Sequence, residues 1–581
     1  MPGWVVDLRD EHIVEDQSTD LPETRPRLLV ALHLESPSTV EDLIQAYVNQ
    51  ETRNRVSQFS RAVKGLSNTL MAAGTKMILV EHGYYDLDSR SEDAATIERQ
   101  FRFERPLTLR FHFFNDVVGE TEFYDWMAAG RLSDKHSDSY LGYSIIRARR
   151  GLATVGRTLV SPASVDPRLR NSEGFSSRIR TVVFEETNLF GVKLQAHGVP
   201  FMQQDGALTT CAHVTAWMAH YSAVLLELAP RVPIARLRDT SRHAGAEFGR
   251  QYPSRGLADV QILRALAEGG LAPEIVYLRD LADTRNPQWY DRDTVWKHGE
   301  AAHPWQRENI TSTVSRYLNS GLPVILARGT HVQLICGYIR ASDLELDDPN
   351  SDPGAVIAFV CHDESQGPYR IELVGPIVGE IDADDTLIIP LPPGLVLSGS
   401  DAELIGLRQF EEQLSNVVNI EDRLETVTGG SETLTAIRET LASLDKRKYA
   451  VRTYATFNSD FKESVRRRCS NNQIVTEAVS LARLPRFVWV TEIIDRALRS
   501  QRKPPVIGEV VIDATATSDK DAPVVIVHVP GYVESRDLVT GRFDGSTCDV
   551  EAHDSGRWAQ NRQVLWWNST GSRSKSVRAA P

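Results

Sequence analysis

Short apolar runs alternate along the chain with longer stretches whose apolar residues recur at helical spacing, and glycine- or proline-rich breaks separate them. Residues 28–34 predict a strand. A polar helical stretch through Val56, Phe59, Val63, Leu66 and Leu70 follows, its spacing giving one apolar face, and strands are expected at 76–80, 107–114, 140–147 and 180–184. The run Phe111-His112-Phe113-Phe114 reads as core, and Gly156-Arg157-Thr158 reads as a turn.

Further along, Ala212, Val214, Ala216, Trp217, Tyr221, Leu225 and Leu226 predict a long apolar helix, with Thr209 and Thr210 as N-cap candidates and a stop at Pro230. A second helix over 257–266 ends at Gly269 and Gly270. Buried strands are then expected at 322–327, 331–338 and 355–361, with a turn at Gly329 and Thr330, and with Gly367 and Pro368 turning the chain away. The proline-rich stretch 390–394 marks a boundary. Beyond it, Ser400 and Glu403 form a capping-box candidate for a helix bearing Leu404, Leu407, Phe410 and Leu414; after Gly429 and Gly430 comes another bearing Leu434, Ile437, Leu441 and Leu444. Strands at 449–455, 486–494, 506–514 and 523–529 predict a separate α+β unit with no catalytic cluster.

The chemistry concentrates at Cys211. A thiol in the first turn of a helix meets unpaired backbone N–H groups and the positive end of the helix dipole, which favour the nucleophilic thiolate. Just upstream, Gln204 or Gln203 could donate a side-chain N–H to an oxyanion. A thiolate also needs a base and a group to orient it. His331 opens one expected strand and Asp363 closes the next, and an antiparallel hairpin brings such positions together. Asp348 and Asn350 compete as orienters but fall in a turn remote from the His331 end. Taken singly, Cys211 is a core residue, His331 a structural histidine and Asp363 a turn former; their ordered conjunction with Gln204 is what points to a thiol site.

That conjunction resembles the papain-like cysteine peptidase superfamily, most closely the branch of bacteriocin-leader-processing (double-glycine) peptidases and their soluble relatives. The corresponding stretches are 199–216, 323–338 and 356–363. The resemblance implies Cys211 as nucleophile, His331 as general base and acid, Asp363 as orienter and Gln204 as oxyanion donor. It departs at Ala212, where the family usually has Gly, at Glu364, where Pro is common, and in a slightly longer Gln-to-Cys spacing. The resemblance covers roughly a third of the chain and implies a central papain-like domain, its helical half packed on an antiparallel sheet; with the element patterns on either side, the expected fold is α+β and multidomain, that domain lying between N- and C-terminal α+β domains. The expected organisation is a flexible arm over 1–26, an N-terminal α+β domain over 27–190, the papain-like domain over 191–395, a helical connector over 396–446, a C-terminal α+β domain over 447–567 and a disordered tail over 568–581. Polar residues 283–304 read as a surface insertion near the cleft.

Other chemistries find less support. Cys211 and His213 point in different directions on a helix, neighbours in the run Cys361-His362-Asp363-Glu364 alternate faces, and His82 with Glu81, Asp86 and Asp88 lacks a second histidine, so no metal or other cofactor is expected. Phosphate-loop, serine-elbow and zinc-protease motifs are missing from the sequence. With 581 residues and 41% apolar content the chain can bury sizeable cores, and its net charge of −13 argues against nucleic-acid or anionic-membrane partners. The basic run Arg466-Arg467-Arg468 reads as a solvated helix end. Five irregularly spaced cysteines indicate a reducing compartment, and without a signal-like or spanning segment a cytoplasmic location is expected, specialised secretion left open. The expected partner is a protein or peptide substrate; oligomeric state is not legible. Two other readings stay open: a non-catalytic interaction protein on a degenerate peptidase fold, and a Cys-His-Asp acyl or amine transferase.

Overall fold

The computed structural model describes residues 2–6, 29–35, 37–53, 56–97, 106–136, 138–149, 151–162, 175–204, 211–243, 257–282, 305–329, 331–341, 356–379, 381–419, 449–469, 473–495, 506–517, 523–529, 532–536 and 543–547. Together they form a mixed α+β, multidomain molecule built on three large sheets and a hairpin.

The first unit runs β1 (Pro2–Val6), β2 (Leu29–His33), α1 (Val40–Glu51), β3 (Gln58–Phe59), α2 (Arg61–Ala72), β4 (Met77–His82), α3 (Leu87–Ile97), β5 (Leu107–Phe114), α4 (Glu120–Ala129), β6 (Tyr140–Arg149) and β7 (Leu152–Val160). Its seven strands lie in the order β1-β2-β4-β5-β6-β7-β3, antiparallel except at the β3–β7 edge. Alternation along the strands gives the sheet two apolar faces. Val80, Phe111 and Phe113 pack with Val63, Leu66 and Leu70 of α2, whereas Leu79 and Phe114 face Trp126 of α4. After β8 (Phe175–Arg178), the hairpin β9 (Val183–Leu189) and β10 (Val192–Gly198) covers that second face through Leu189, Val192 and Leu194.

Several expectations change here. Residues 2–6 of the expected arm pair with β2. The single helical stretch through Val56 and Phe59 is instead two helices: Thr39 caps α1 reciprocally with Asp42, while Phe59 lies in β3 and α2 starts only at Arg61. Gly156, Arg157 and Thr158 form no turn but the middle of β7. A Cβ on Gly156 would stand 3.2 Å from the Ile145 carbonyl, so glycine permits the close strand approach beside a register shift. Arg180 lies in the link before β9, and the expected boundary at 190/191 falls in the turn of the β9–β10 hairpin.

The central unit comprises α5 (Cys211–Leu225), α6 (Ile234–His243), α7 (Asp259–Glu268), β11 (Glu274–Tyr277), α8 (Leu278–Ala282), α9 (Trp305–Asn319), β12 (Val324–Arg328), β13 (His331–Ala341), β14 (Val356–Asp363), β15 (Gly367–Leu373), α10 (Val374–Gly379) and β16 (Thr386–Ile389). Its antiparallel sheet has the order β11-β16-β12-β13-β14-β15, and β8 pairs with the far end of β13. Helix α5 is buried from Ala212 to Ala223 and packs against β12 and β13. An apolar surface all round is what such a helix requires. Gly367 and Pro368 open β15 rather than leave the sheet; the reversal is made by residues 364–366, and Gly367 sits at φ +117, open to glycine.

The third unit adds α11 (Gly399–Asn419), β17 (Tyr449–Phe457), α12 (Asn458–Arg468), α13 (Gln473–Leu481), β18 (Phe487–Asp495), β19 (Val506–Asp513), β20 (Val524–Val529), β21 (Tyr532–Arg536) and β22 (Phe543–Thr547). Its six strands follow one another in chain order, with α11 on one face and α12 and α13 on the other. Arg466 and Arg467 are exposed at the end of α12, as expected. The cap of α11 is Ser398 with Asp401, not Ser400 with Glu403, because Glu403 faces inward to pair with Arg316 at 3.0 Å. Thr209, Thr210, Thr330, Asp348, Asn350, the 283–304 insertion, the helix bearing Leu434 and the 568–581 tail lie outside the described residues. No helix among the described residues is long and apolar enough to cross a membrane.

The units share an apolar core that takes in Phe111, Trp217, Ile335 and Trp489. Polar bonds reinforce it. Asp88 of α3, buried, accepts from Trp217 Nε1 at 3.1 Å and from the Ile234 N–H that opens α6 at 3.3 Å. Tyr369 of β15 accepts from the Val199 N–H at 2.8 Å and donates to the Val160 carbonyl at 2.9 Å.

Candidate active site

Cys211 is the first residue of α5, where backbone N–H groups have no partner within the helix. One turn later Thr215 donates to the carbonyl of Val332 at 3.3 Å, which docks the start of the helix beside the residue that follows His331. The hairpins do the rest. β13 pairs antiparallel with β14, Leu334 opposite His362, so the start of one strand meets the end of the other.

There His331 Nε2 lies 3.1 Å from Asp363 Oδ2. The Cys211 thiol acts on the same ring, and with Nε2 turned to the carboxylate, Nδ1 is the nitrogen left to sulfur. His331 is half-buried, and the hydrogen bond to Asp363, then that to Cys211, push its pKa up to about 10 against some opposition from burial. Burial works against the charge of Asp363 as well. Hydrogen bonds from His331, Ser365 and Gln333 outweigh it and hold the carboxyl well below the usual carboxylate range.

The surroundings of Asp363 contain residues that the sequence reading passed over. Gln333 Nε2 donates to Oδ2 at 3.0 Å, and Ser365 donates to Oδ1 from its backbone at 2.9 Å and its hydroxyl at 2.7 Å. Gln366 adds its backbone N–H to Oδ1 at 3.2 Å. Strand alternation was the available signal for Gln333, two residues beyond His331 on the same face. For Ser365 it was the Asx-turn that an aspartate at a strand end makes with its own following backbone.

The two glutamines differ. Gln203 Oε1 accepts from Ser60 Oγ at 2.7 Å and from the Val155 N–H at 3.1 Å, so its side chain is anchored to the first unit. Gln204 gives its backbone N–H to the Glu364 carboxyl, beside Asp363, and is partly exposed. Glu364 is buried, and burial first, then the neighbouring Asp363 charge, raise its pKa despite the Gln204 bond.

The other expected features resolve simply. Of the described cysteines, none of which forms a disulfide, Cys336, Cys361 and Cys469 are buried and Cys211 alone is partly accessible. His362 stacks edge-on against Phe201 and Tyr369 and bonds the Pro200 carbonyl. His82 bonds the Tyr47 hydroxyl at 2.6 Å, and Glu81 pairs with Arg110. Among the described residues no group of His, Cys, Asp and Glu is arranged to hold a metal ion. Chemically, the arrangement joins a thiol at a helix N-terminus to an imidazole whose proton is held by an anchored carboxylate. No family model, curated protein or solved structure matches this chain.

Proposed function

We propose that the protein is a papain-like thiol hydrolase that cleaves a peptide or isopeptide bond through Cys211, His331 and Asp363, with Gln204 as oxyanion donor. The observation that carries this reading is the His331 ring held 3.1 Å from the Asp363 carboxylate, with the Cys211 thiol at the helix start acting on the same ring. Support for a papain-like central domain comes from the nucleophile opening a buried helix against an antiparallel sheet that bears base and orienter.

In this reading the thiolate attacks the substrate carbonyl carbon and forms a C–S bond. The oxyanion is held by the Gln204 side-chain amide and the Cys211 backbone N–H. His331 then gives its proton to the leaving amine as the C–N bond breaks, leaving an acyl group on Cys211. Water, deprotonated by His331, displaces the thiolate and releases the acid. The substrate is a protein or peptide, and the described cysteines, none in a disulfide, support a reducing, cytoplasmic setting.

The test is turnover of a peptide library by the full chain and by Cys211→Ala. The variant should lose activity while keeping its thermal midpoint, and in oxygen-18 water the acid product should gain one labelled oxygen. Products carrying an added amine and no label would make the enzyme a transferase. No turnover of any peptide, with Cys211→Ala indistinguishable in cells, would leave a non-catalytic interaction protein.

A further inference from the structure

We infer that helix α2 of the N-terminal unit is the positioning element of the thiol site, with Ser60 steadying its oxyanion arm and Gly65 its acid turn; the inference rests on the hydrolase reading of Cys211.

The first contact is at the start of the helix. Ser60 occupies the N-cap position with extended backbone yet makes no side-chain bond to its own helix. A serine there ordinarily accepts from an N–H of the first turn. Its hydroxyl donates to Gln203 Oε1 at 2.7 Å instead. The same oxygen takes the Val155 N–H at 3.1 Å, and the Gln203 N–H bonds the Val155 carbonyl at 3.0 Å. Gln203 is therefore fixed at several points on the N-terminal unit, and Gln204 is the next residue. A local preference has been given up for a long-range bond that ends beside the oxyanion donor.

The second contact lies farther along α2. A Cβ on Gly65 would stand 2.0 Å from the Gln366 carbonyl oxygen and 2.9 Å from Gly367 Cα, so backbone rests on backbone. Gln366 holds Asp363 with its N–H at 3.2 Å and its side-chain amide at 3.3 Å. Any movement of α2 is thus passed to the group that orients His331 and to the segment that carries Gln204. Neither Ser60 nor Gly65 touches the reacting atoms; both act through others. Because reacting groups tolerate little displacement, a shift of about 1 Å here can cost up to a hundredfold in rate.

The test uses the full chain and two readouts, the rate of Cys211 alkylation by iodoacetamide, read by mass spectrometry from acid to alkaline pH, and the kcat and KM of peptide turnover. Gly65→Ala should slow Cys211 labelling at neutral pH by about tenfold or more and move its pH profile toward that of an unassisted thiol. Ser60→Ala, which acts on the oxyanion arm, should lower kcat by about tenfold or more with KM and the labelling profile little changed. Ser60→Thr should restore the wild-type kcat. Ser60→Ala removes no cap bond, so its near-ultraviolet circular dichroism should match the wild type even if Gly65→Ala fails to fold. A folded Ser60→Ala protein with the wild-type kcat overturns the inference while leaving the hydrolase reading standing. A wild-type Cys211 that labels no faster than free cysteine at any pH overturns that reading and this inference with it.

Discussion

Asp363 meets His331 with one carboxylate oxygen, at 3.1 Å, while its other oxygen is occupied by Ser365 and Gln366. The carboxylate cannot rotate away, and the ring it holds is turned with Nδ1 free for the thiol. His331 is raised from its ordinary 6.5 to about 10. The sign follows: the stabilisation of the imidazolium is complete below the ordinary value and is lost as pH rises through about 10. Turnover, which needs the protonated ring as acid for the leaving amine, should therefore hold through neutral pH and fall on an alkaline limb near 10. Asp363→Asn should bring that limb down and lower turnover by orders of magnitude with the fold intact. An unmoved limb in the variant would show that Asp363 does not orient the base.

Thiol selectivity gives a second expectation. Cys336 and Cys361 lie in apolar strands, where burial pushes both thiols up, and Cys336 is further tied to the Val360 carbonyl at 3.3 Å. Cys469 is buried at 3% exposure. Among the described cysteines, Cys211 alone combines access with a helix N-terminus and an imidazole. Limited iodoacetamide treatment of the native protein should modify Cys211 first. Equal or faster labelling at Cys469 or Cys548 would remove the case for an activated thiol.

The parts of this site that were legible in the sequence are those governed by local rules. Strands β12 to β14 are buried on both faces and read as unbroken apolar runs, and once they are read, hairpin geometry alone puts His331 near Asp363. Most strands of the C-terminal sheet were legible for the same reason. What stayed hidden depends on partners far away in the chain. Gly156, Arg157 and Thr158 have turn chemistry, yet Arg157 is neutralised in a central strand by Asp86 and Glu185. Gln203 and Gln204 look alike on paper, and it is Ser60, well over a hundred residues away, that anchors the Gln203 side chain.

Arg157 supplies the third expectation. Its guanidinium pairs with Asp86 at 3.1 Å and Glu185 at 3.2 Å and donates to the hydroxyls of Tyr84 at 2.7 Å and Tyr221 at 2.9 Å. Removing one member of a buried ionic group leaves the others charged and unpaired, which costs about 3–5 kcal/mol. Arg157→Leu should lower the urea midpoint accordingly. Because Tyr221 lies on α5, the loss should reach the helix that carries Cys211 too and slow its labelling. A variant with wild-type midpoint would mean that the network contributes nothing net to the fold.

Glu364 separates stability from activity. Its carboxyl is buried, accepts the Gln204 N–H, and has an oxygen, Oε2, with no hydrogen-bond partner among the described residues. Burial raises its pKa, so its favourable contribution is present below the unfolded-state value and is lost as pH rises through the folded one. Above that folded-state value the native protein thus carries a carboxylate that would be more stable in water. Glu364→Gln keeps a side-chain oxygen able to accept from Gln204 and removes the charge. It should raise the thermal midpoint at alkaline pH, with the gain vanishing as the solution is made acidic enough to protonate the wild-type carboxyl. The same change takes a negative charge away from His331, so turnover should fall modestly while stability rises, the trade expected where a strained group serves a site. A Glu364→Gln protein destabilised equally at acid and alkaline pH would show that Glu364 is held by packing alone and that its charge has no part in the site.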